Sequence, residues 1–154
     1  MRKLLFGGFV VFAAAALQPG MTSLADRQPD YQDDPRFHAI RSFFQQKGCP
    51  AVHLADVFLQ AADDYDLDWR LLPSLSFIES TGGKAARNNN MFGWNNGNTR
   101  FESPSAGIHT VGFLLANSRH YRDKELDELL ATYNPNSGYG QKVKSVMRRI
   151  APAE

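Results

Sequence analysis

The chain has 154 residues, 43% of them hydrophobic and 21% charged. That length suits one domain of about 100–150 residues, and the composition excludes a disordered or collagen-like chain. With 17 Lys+Arg against 16 Asp+Glu the net charge is +1, so no broad basic field supports nucleic-acid binding by phosphate neutralisation.

The N-terminus reads as an export signal. Arg2 and Lys3 precede an apolar stretch from Leu4 to Leu17, Pro19 and Gly20 break any helix, and Ser23-Leu24-Ala25 offers small residues for cleavage after Ala25. The apolar stretch is shorter than the about 20 residues a membrane span needs, so residues 1–25 are expected to be a removable signal peptide rather than an anchor. The chain is then exported, periplasmic or extracellular, with no stable membrane anchor. Without residues 1–25 it carries 15 basic and 16 acidic residues. Its one cysteine, Cys49, makes neither an internal disulfide nor a Cys-rich zinc site and reads as a small buried residue.

Residues 26–34 are polar and read as a leader; residues 35–154 read as a single domain in which helical signals dominate. Asp34 caps a first predicted helix with Pro35 at its first position, Phe37, Ile40 and Phe44 on one face, and Gly48 as its stop. A second is predicted over 53–65, with Leu54, Val57, Phe58, Ala61 and Tyr65 at spacings of three and four. A third follows with Asp68 as candidate cap and Leu71, Leu72, Leu75 and Ile78 as its buried stripe; Pro73 then has to fall in the first turn. From Thr81 to Thr99 the helical period is lost. Asparagine fills six of the eleven positions from Asn88 to Asn98, and Asn96-Gly97 is a turn pair, which predicts an irregular lobe or a short hairpin. Ser103-Pro104 opens another helix with Ile108, Val111 and Leu115 inward. A further helix carries Leu126, Leu129, Leu130 and Tyr133. The last, over about 140–150, buries Val143, Val146, Met147 and Ile150 and sets Lys142, Lys144, Arg148 and Arg149 on its solvated side. The fold class is mainly α.

Glu79 is the most informative residue. It ends the apolar face of the third predicted helix, where partial desolvation and the negative end of the helix dipole both disfavour an anion. That suits a general acid holding its proton near neutral pH; the plain alternative is a solvated residue at a frayed helix end. The neighbouring loop sets Met91, Phe92 and Trp94 among asparagines, as a sugar-binding surface would: aromatic faces stack on sugar rings and amides bond hydroxyls. Equally, Phe92 can fill the core and Trp94 can be a half-buried wedge. Asp64, Asp66 and Asp68 are spaced like part of a calcium loop, but Trp69 and Leu75 stand where that loop needs glycine and glutamate, and the four histidines have no ligand spacing. No metal and no cofactor is expected.

Leu71-Leu72-Pro73-Ser74-Leu75-Ser76-Phe77-Ile78-Glu79-Ser80-Thr81-Gly82-Gly83-Lys84 resembles the catalytic helix end of the lysozyme-like superfamily, most of all its bacterial glucosaminidase and lytic-transglycosylase branches. Asn90-Met91-Phe92-Gly93-Trp94 is similar to their cleft-wall segment. Phe101-Glu102-Ser103 with Ala106-Gly107-Ile108 looks like their entry to the next helix, and Ala131-Thr132-Tyr133-Asn134, with Tyr139 and Val143 beyond, like the segment closing the cleft. The likeness spans about residues 52–150 and implies a lysozyme-like helical domain whose small lobe forms a substrate cleft. It implies cleavage of β-1,4 bonds in peptidoglycan glycan strands with Glu79 as general acid. Asn90, Phe92, Trp94, Tyr133, Asn134 and Tyr139 would line or orient the substrate. Glu102 is the candidate for the second carboxylate that a hydrolase employs, with a surface charge before a helix as its plainer role. Without a second carboxylate, Glu79 would act as acid and then base, and the sugar's own 6-hydroxyl could replace water, as in lytic transglycosylases. A non-catalytic glycan-binding scaffold with the same fold is the alternative from another class. The absence of a wall-binding repeat or a long β-rich lobe suits local action, such as opening the wall for a secretion apparatus.

Overall fold

The computed structural model describes residues 29–152; the expected signal peptide, residues 1–25, lies outside them. Six α-helices follow in chain order: α1 (Pro35–Gln46), α2 (Ala55–Asp64), α3 (Leu71–Ser80), α4 (Pro104–Asn117), α5 (Leu126–Tyr133) and α6 (Tyr139–Ile150). Among the described residues there is no strand, so the architecture is all-α, and no helix is long and apolar enough to cross a membrane.

Local chemistry explains most boundaries. Asp34 accepts from the Arg36 backbone N–H at 2.8 Å with Pro35 inside the first turn, and Ser103 does the same for Ala106 at 3.0 Å ahead of Pro104. The chain leaves α1 through Gly48 at φ +59. The second predicted helix splits. Pro50 starts a 3-10 turn over Pro50–Leu54, and the α-helix proper begins two residues later than the apolar spacing suggested, at Ala55. Pro73 does lie in the first turn of α3, where its missing N–H costs nothing. Asp68 is not the cap of that helix: its carboxylate accepts from the Arg70 backbone N–H at 2.9 Å and pairs with the Arg70 guanidinium, bracing the turn before it.

Residues 31–34, which composition assigns to a leader, belong to the fold. Tyr31 is buried, and its hydroxyl donates to Asp63 at 2.9 Å. Arg36 bridges Asp34 and Asp63, so the entry segment is fastened to α2.

One contiguous core runs through all six helices, with Phe44, Phe58, Leu72, Leu75, Ile108, Leu130 and Val143 fully enclosed. α2 packs on α4, and α6 packs on α3 and α5. Cys49 is buried within the core, as a small hydrophobe. A Cβ at Gly82 would come within 2.7 Å of its Cβ, so the segment after α3 is seated on the cysteine. The last helix is less evenly solvated than its charges suggest, because Arg149 covers the rings of Phe43 and Phe77 at 5.5 and 5.8 Å.

Between α3 and α4 the chain forms an irregular lobe, and the hairpin alternative is not realised. Asn88, Asn89, Gly93, Asn95, Asn96 and Gly97 all have positive φ. That left-handed backbone cannot extend into a ladder, and one isolated bridge, Arg87 to Asn90, is all that forms.

Candidate active site

Three segments converge on the end of α3. Glu79 stands in the last turn of that helix, half-buried. Thr81 ends the helix in a left-handed conformation, and the N–H groups of Thr81 and Gly82 close on the carbonyls of Phe77 and Ser76. Ser80 faces away from the groove. Its hydroxyl donates to the carbonyls of Ser76 and Met91 and accepts from the Gly83 N–H, fastening the lobe to the helix. The adjacent Glu79-Ser80 pair therefore divides two tasks, one residue opening onto the groove and the other anchoring its wall.

The groove has two arms. The longer is a cleft of about 540 Å³ walled by Trp94, Tyr121 and Tyr133, with Gly93, Asn95, Asn96 and Thr99 from the lobe. The shorter, of about 260 Å³, is lined by Ile78, Tyr139, Asn136, Ser137 and Lys142. Glu79 and Asn134 line both arms, so the groove passes over the carboxylate. Trp94 packs against Tyr121 and Tyr133 with ring centroids 5.9 Å apart in each case, forming a continuous aromatic wall.

Glu79 is held at one oxygen and confined at the other. Tyr139 donates to Oε1 at 2.6 Å. Oε2 lies against Gly93, where a Cβ would approach it to 2.9 Å; Gly93 has φ +61, so glycine serves both the backbone and the close approach. Tyr139 stacks on Tyr133 at 6.0 Å and 11°, and the Tyr133 hydroxyl donates to the Phe92 carbonyl at 2.6 Å. Burial, and then the hydrogen bond and charge of Glu79, push the Tyr139 phenol well above its ordinary range. Burial and the charge of Glu79 do the same to Tyr133. Both hydroxyls therefore remain donors at any ordinary pH.

The remaining residues singled out from the sequence are placed as follows. Trp94, Tyr133 and Asn134 line the groove. Tyr139 is buried beside Glu79 and positions it. Asn90 does not reach substrate space. At 4% exposure, its amide nitrogen donates to the carbonyls of Trp94 and Thr99 and its oxygen accepts from the Trp94 N–H. Those bonds use both amide hydrogens and shape the lobe from within, and burial keeps the side chain out of the groove. Phe92, at 1% exposure, is a core ring that borders the cleft through its backbone. Glu102 is exposed at the entry to α4, where its carbonyl accepts from Asn89, and it lines neither arm. Among the described residues Glu79 is the sole carboxylate lining the groove. No cluster of three or more His, Cys, Asp or Glu among the described residues is placed to hold a metal.

Tyr121 was not foreseen from the sequence. It is a wall residue in the connection between α4 and α5, and its one sequence signal is an aromatic ring standing alone in a run of charged residues. Compared with protein-family models, curated proteins and solved structures, the chain matches none.

Proposed function

We propose that the chain is an exported glycoside-cleaving enzyme of lysozyme-like fold. It acts on β-1,4 bonds of peptidoglycan glycan strands outside the cytoplasm, with Glu79 as general acid. The observation that carries this reading is a carboxyl gripped by Tyr139 in the floor of an open groove with an aromatic wall. A sugar chain stacks its apolar faces on rings such as Trp94, Tyr121 and Tyr133, and carbonyls and amides of the lobe and of Asn134 meet its hydroxyls. Three of the four segments that resemble the lysozyme-like superfamily, the end of α3, Asn90–Trp94 and Ala131–Asn134 with Tyr139, contribute residues that line this groove, which supports the same reading.

In the acid step, protonated Glu79 delivers its proton from Oε2 to the glycosidic oxygen while Oε1 keeps its bond from Tyr139. The C1–O bond breaks, and positive charge develops at the sugar ring. The new carboxylate is a better acceptor than the acid was, so the Tyr139 bond strengthens as the reaction proceeds. Glu79 then takes a proton from the oxygen that attacks C1.

The identity of that oxygen separates two outcomes. Hydrolysis uses water. Among the described residues Glu79 is the one carboxylate lining the groove, which supports the second, lytic transglycosylation: the substrate's 6-hydroxyl attacks C1, its proton passes to Glu79, and an anhydro end forms with no second carboxylate required.

Digestion of purified peptidoglycan by wild type and Glu79→Gln, followed by mass analysis, tests both levels. Loss of general acid catalysis should slow cleavage by about 10²–10⁴-fold. Reducing ends identify hydrolysis and anhydro ends transglycosylation. Equal clearing by the two proteins would remove Glu79 from the mechanism, and glycan binding without cleavage by either would leave a non-catalytic scaffold.

A further inference from the structure

The two arms of the groove differ in charge. Apart from Glu79 itself, the residues lining the longer arm are uncharged. The shorter arm carries, besides Glu79, one charged residue, the cation Lys142 on the first turns of α6. The Lys142 ammonium has no hydrogen-bond or ion-pair partner among the described residues, whereas Lys144, two positions on, is engaged by Asp127 at 2.5 Å. α6 carries no acidic residue at all. An unpaired cation lining the same arm as Glu79, among amides, hydroxyls and an aliphatic side chain, is suited to an anionic group on the substrate.

We infer that Lys142 reads a carboxylate borne by the sugar in the shorter arm and so fixes the frame in which the glycan lies across Glu79. The inference rests on the glycoside-cleaving function proposed above and adds its specificity. In a strand where every second sugar bears a carboxyl-ended substituent, a neutral sugar meets the aromatic arm and an acidic one meets Lys142. A shift by one sugar would put the acidic substituent against the rings and leave Lys142 unmatched. Of the two alternating glycosidic bonds, one is then presented to Glu79 in preference to the other.

The test compares peptide-free peptidoglycan strands with the same strands after their carboxyls are converted to amides. The readout is the ratio of kcat/KM on the two polymers at low salt, together with the identity of the sugar at the new ends. Wild type should prefer the carboxylate polymer by about three- to fivefold, the size of an exposed ion pair. That preference should shrink as salt is added. Lys142→Gln should bring the ratio near one and give mixed ends, Lys142→Glu should invert it, and Lys142→Arg should retain it. Lys144→Gln, which removes a neighbouring cation already paired to Asp127, should keep the wild-type ratio. A wild-type ratio of one, or a Lys142→Gln ratio equal to wild type, would overturn the inference while leaving the function standing. No cleavage of either polymer by wild type would overturn both.

Discussion

Gly93→Ala separates the positioning of Glu79 from the stability of the lobe that positions it. The new methyl would lie 2.9 Å from Glu79 Oε2, whereas ordinary contact begins near 3.4 Å, so the oxygen has to retreat by about half an ångström. That oxygen is the far end of a flexible side chain, and its retreat costs little free energy. The backbone is the larger stability term: a Cβ at φ +61 costs about 1–2 kcal/mol. Catalytic geometry is less forgiving, since productive groups must be held within about 0.5 Å and a misplacement near 1 Å costs ~10²-fold in rate. The variant should therefore lose roughly 10–100-fold in glycan cleavage for about 1–2 kcal/mol of stability. Gly48→Ala is the matched control. Its φ of +59 imposes the same backbone cost, and no atom lies within 4 Å of the added Cβ. Urea denaturation and peptidoglycan turnover on both variants read the two quantities separately. Equal stability losses with unchanged turnover in Gly93→Ala would refute the view that the gap at this glycine sets the position of the carboxyl.

Tyr139→Phe removes the donor to Glu79 Oε1 but keeps the ring stacked on Tyr133. Turnover should fall by about 10-fold or more, with a stability loss of about 0.5–1.5 kcal/mol by thermal melting; wild-type kcat would contradict the positioning role. Asn90→Ala deletes the internal amide bonds of the lobe and should cost about 2–4 kcal/mol, because buried partners are left unsatisfied; a loss under about 0.5 kcal/mol would mark the lobe as held by other contacts. Alkaline pH should destabilise the fold. The phenol of Tyr31 is pushed up to about 12 by burial and by its bond to Asp63, and Tyr133 and Tyr139 are raised as well. The native state favours the neutral form of each, so their contribution is intact below the ordinary value of about 10 and is lost as pH rises above it. Urea midpoints measured upward from pH 9 should fall, and the ultraviolet signal of phenolate should lag in the folded protein. Ionisation of all the tyrosines near pH 10 in the native state would refute the burial argument.

Legibility in the sequence followed the kind of signal each residue gives. Helix starts with a side-chain cap and a following proline, Asp34-Pro35 and Ser103-Pro104, were readable because the capping chemistry is local. The placement of Glu79 in the groove was readable because a carboxyl closing an apolar stripe conflicts with the pattern around it. The irregularity of the lobe was readable from the lost period and the asparagines, but its inside and outside were not, since without a helical or strand period nothing in the sequence tells which way a side chain turns. Asn90 turns inward to satisfy three backbone groups and Phe92 fills the core, while Trp94, two residues on, lines the cleft. The distances that matter most, Tyr139 to Glu79 and Tyr133 to Phe92, span sequence separations of 60 and 41 residues. No local rule reaches that far. Tyr31 was misassigned for the same reason: its polar neighbours say leader, but its partner Asp63 lies 32 residues away.

The two stacked tyrosines have a consequence for how the groove behaves as a unit. Tyr133 ends α5 and reaches across to the lobe at Phe92, while Tyr139 begins α6 and reaches across to α3 at Glu79. Their rings are nearly parallel with centroids 6.0 Å apart, so the two walls meet in one stack beside the carboxyl. A substrate that presses Trp94 against Tyr133 thus acts on the same packed stack that holds Oε1. On the function proposed above, recognition along the aromatic arm and placement of the proton donor would be coupled through that stack, with the short Asn134–Gly138 connection joining the two tyrosines.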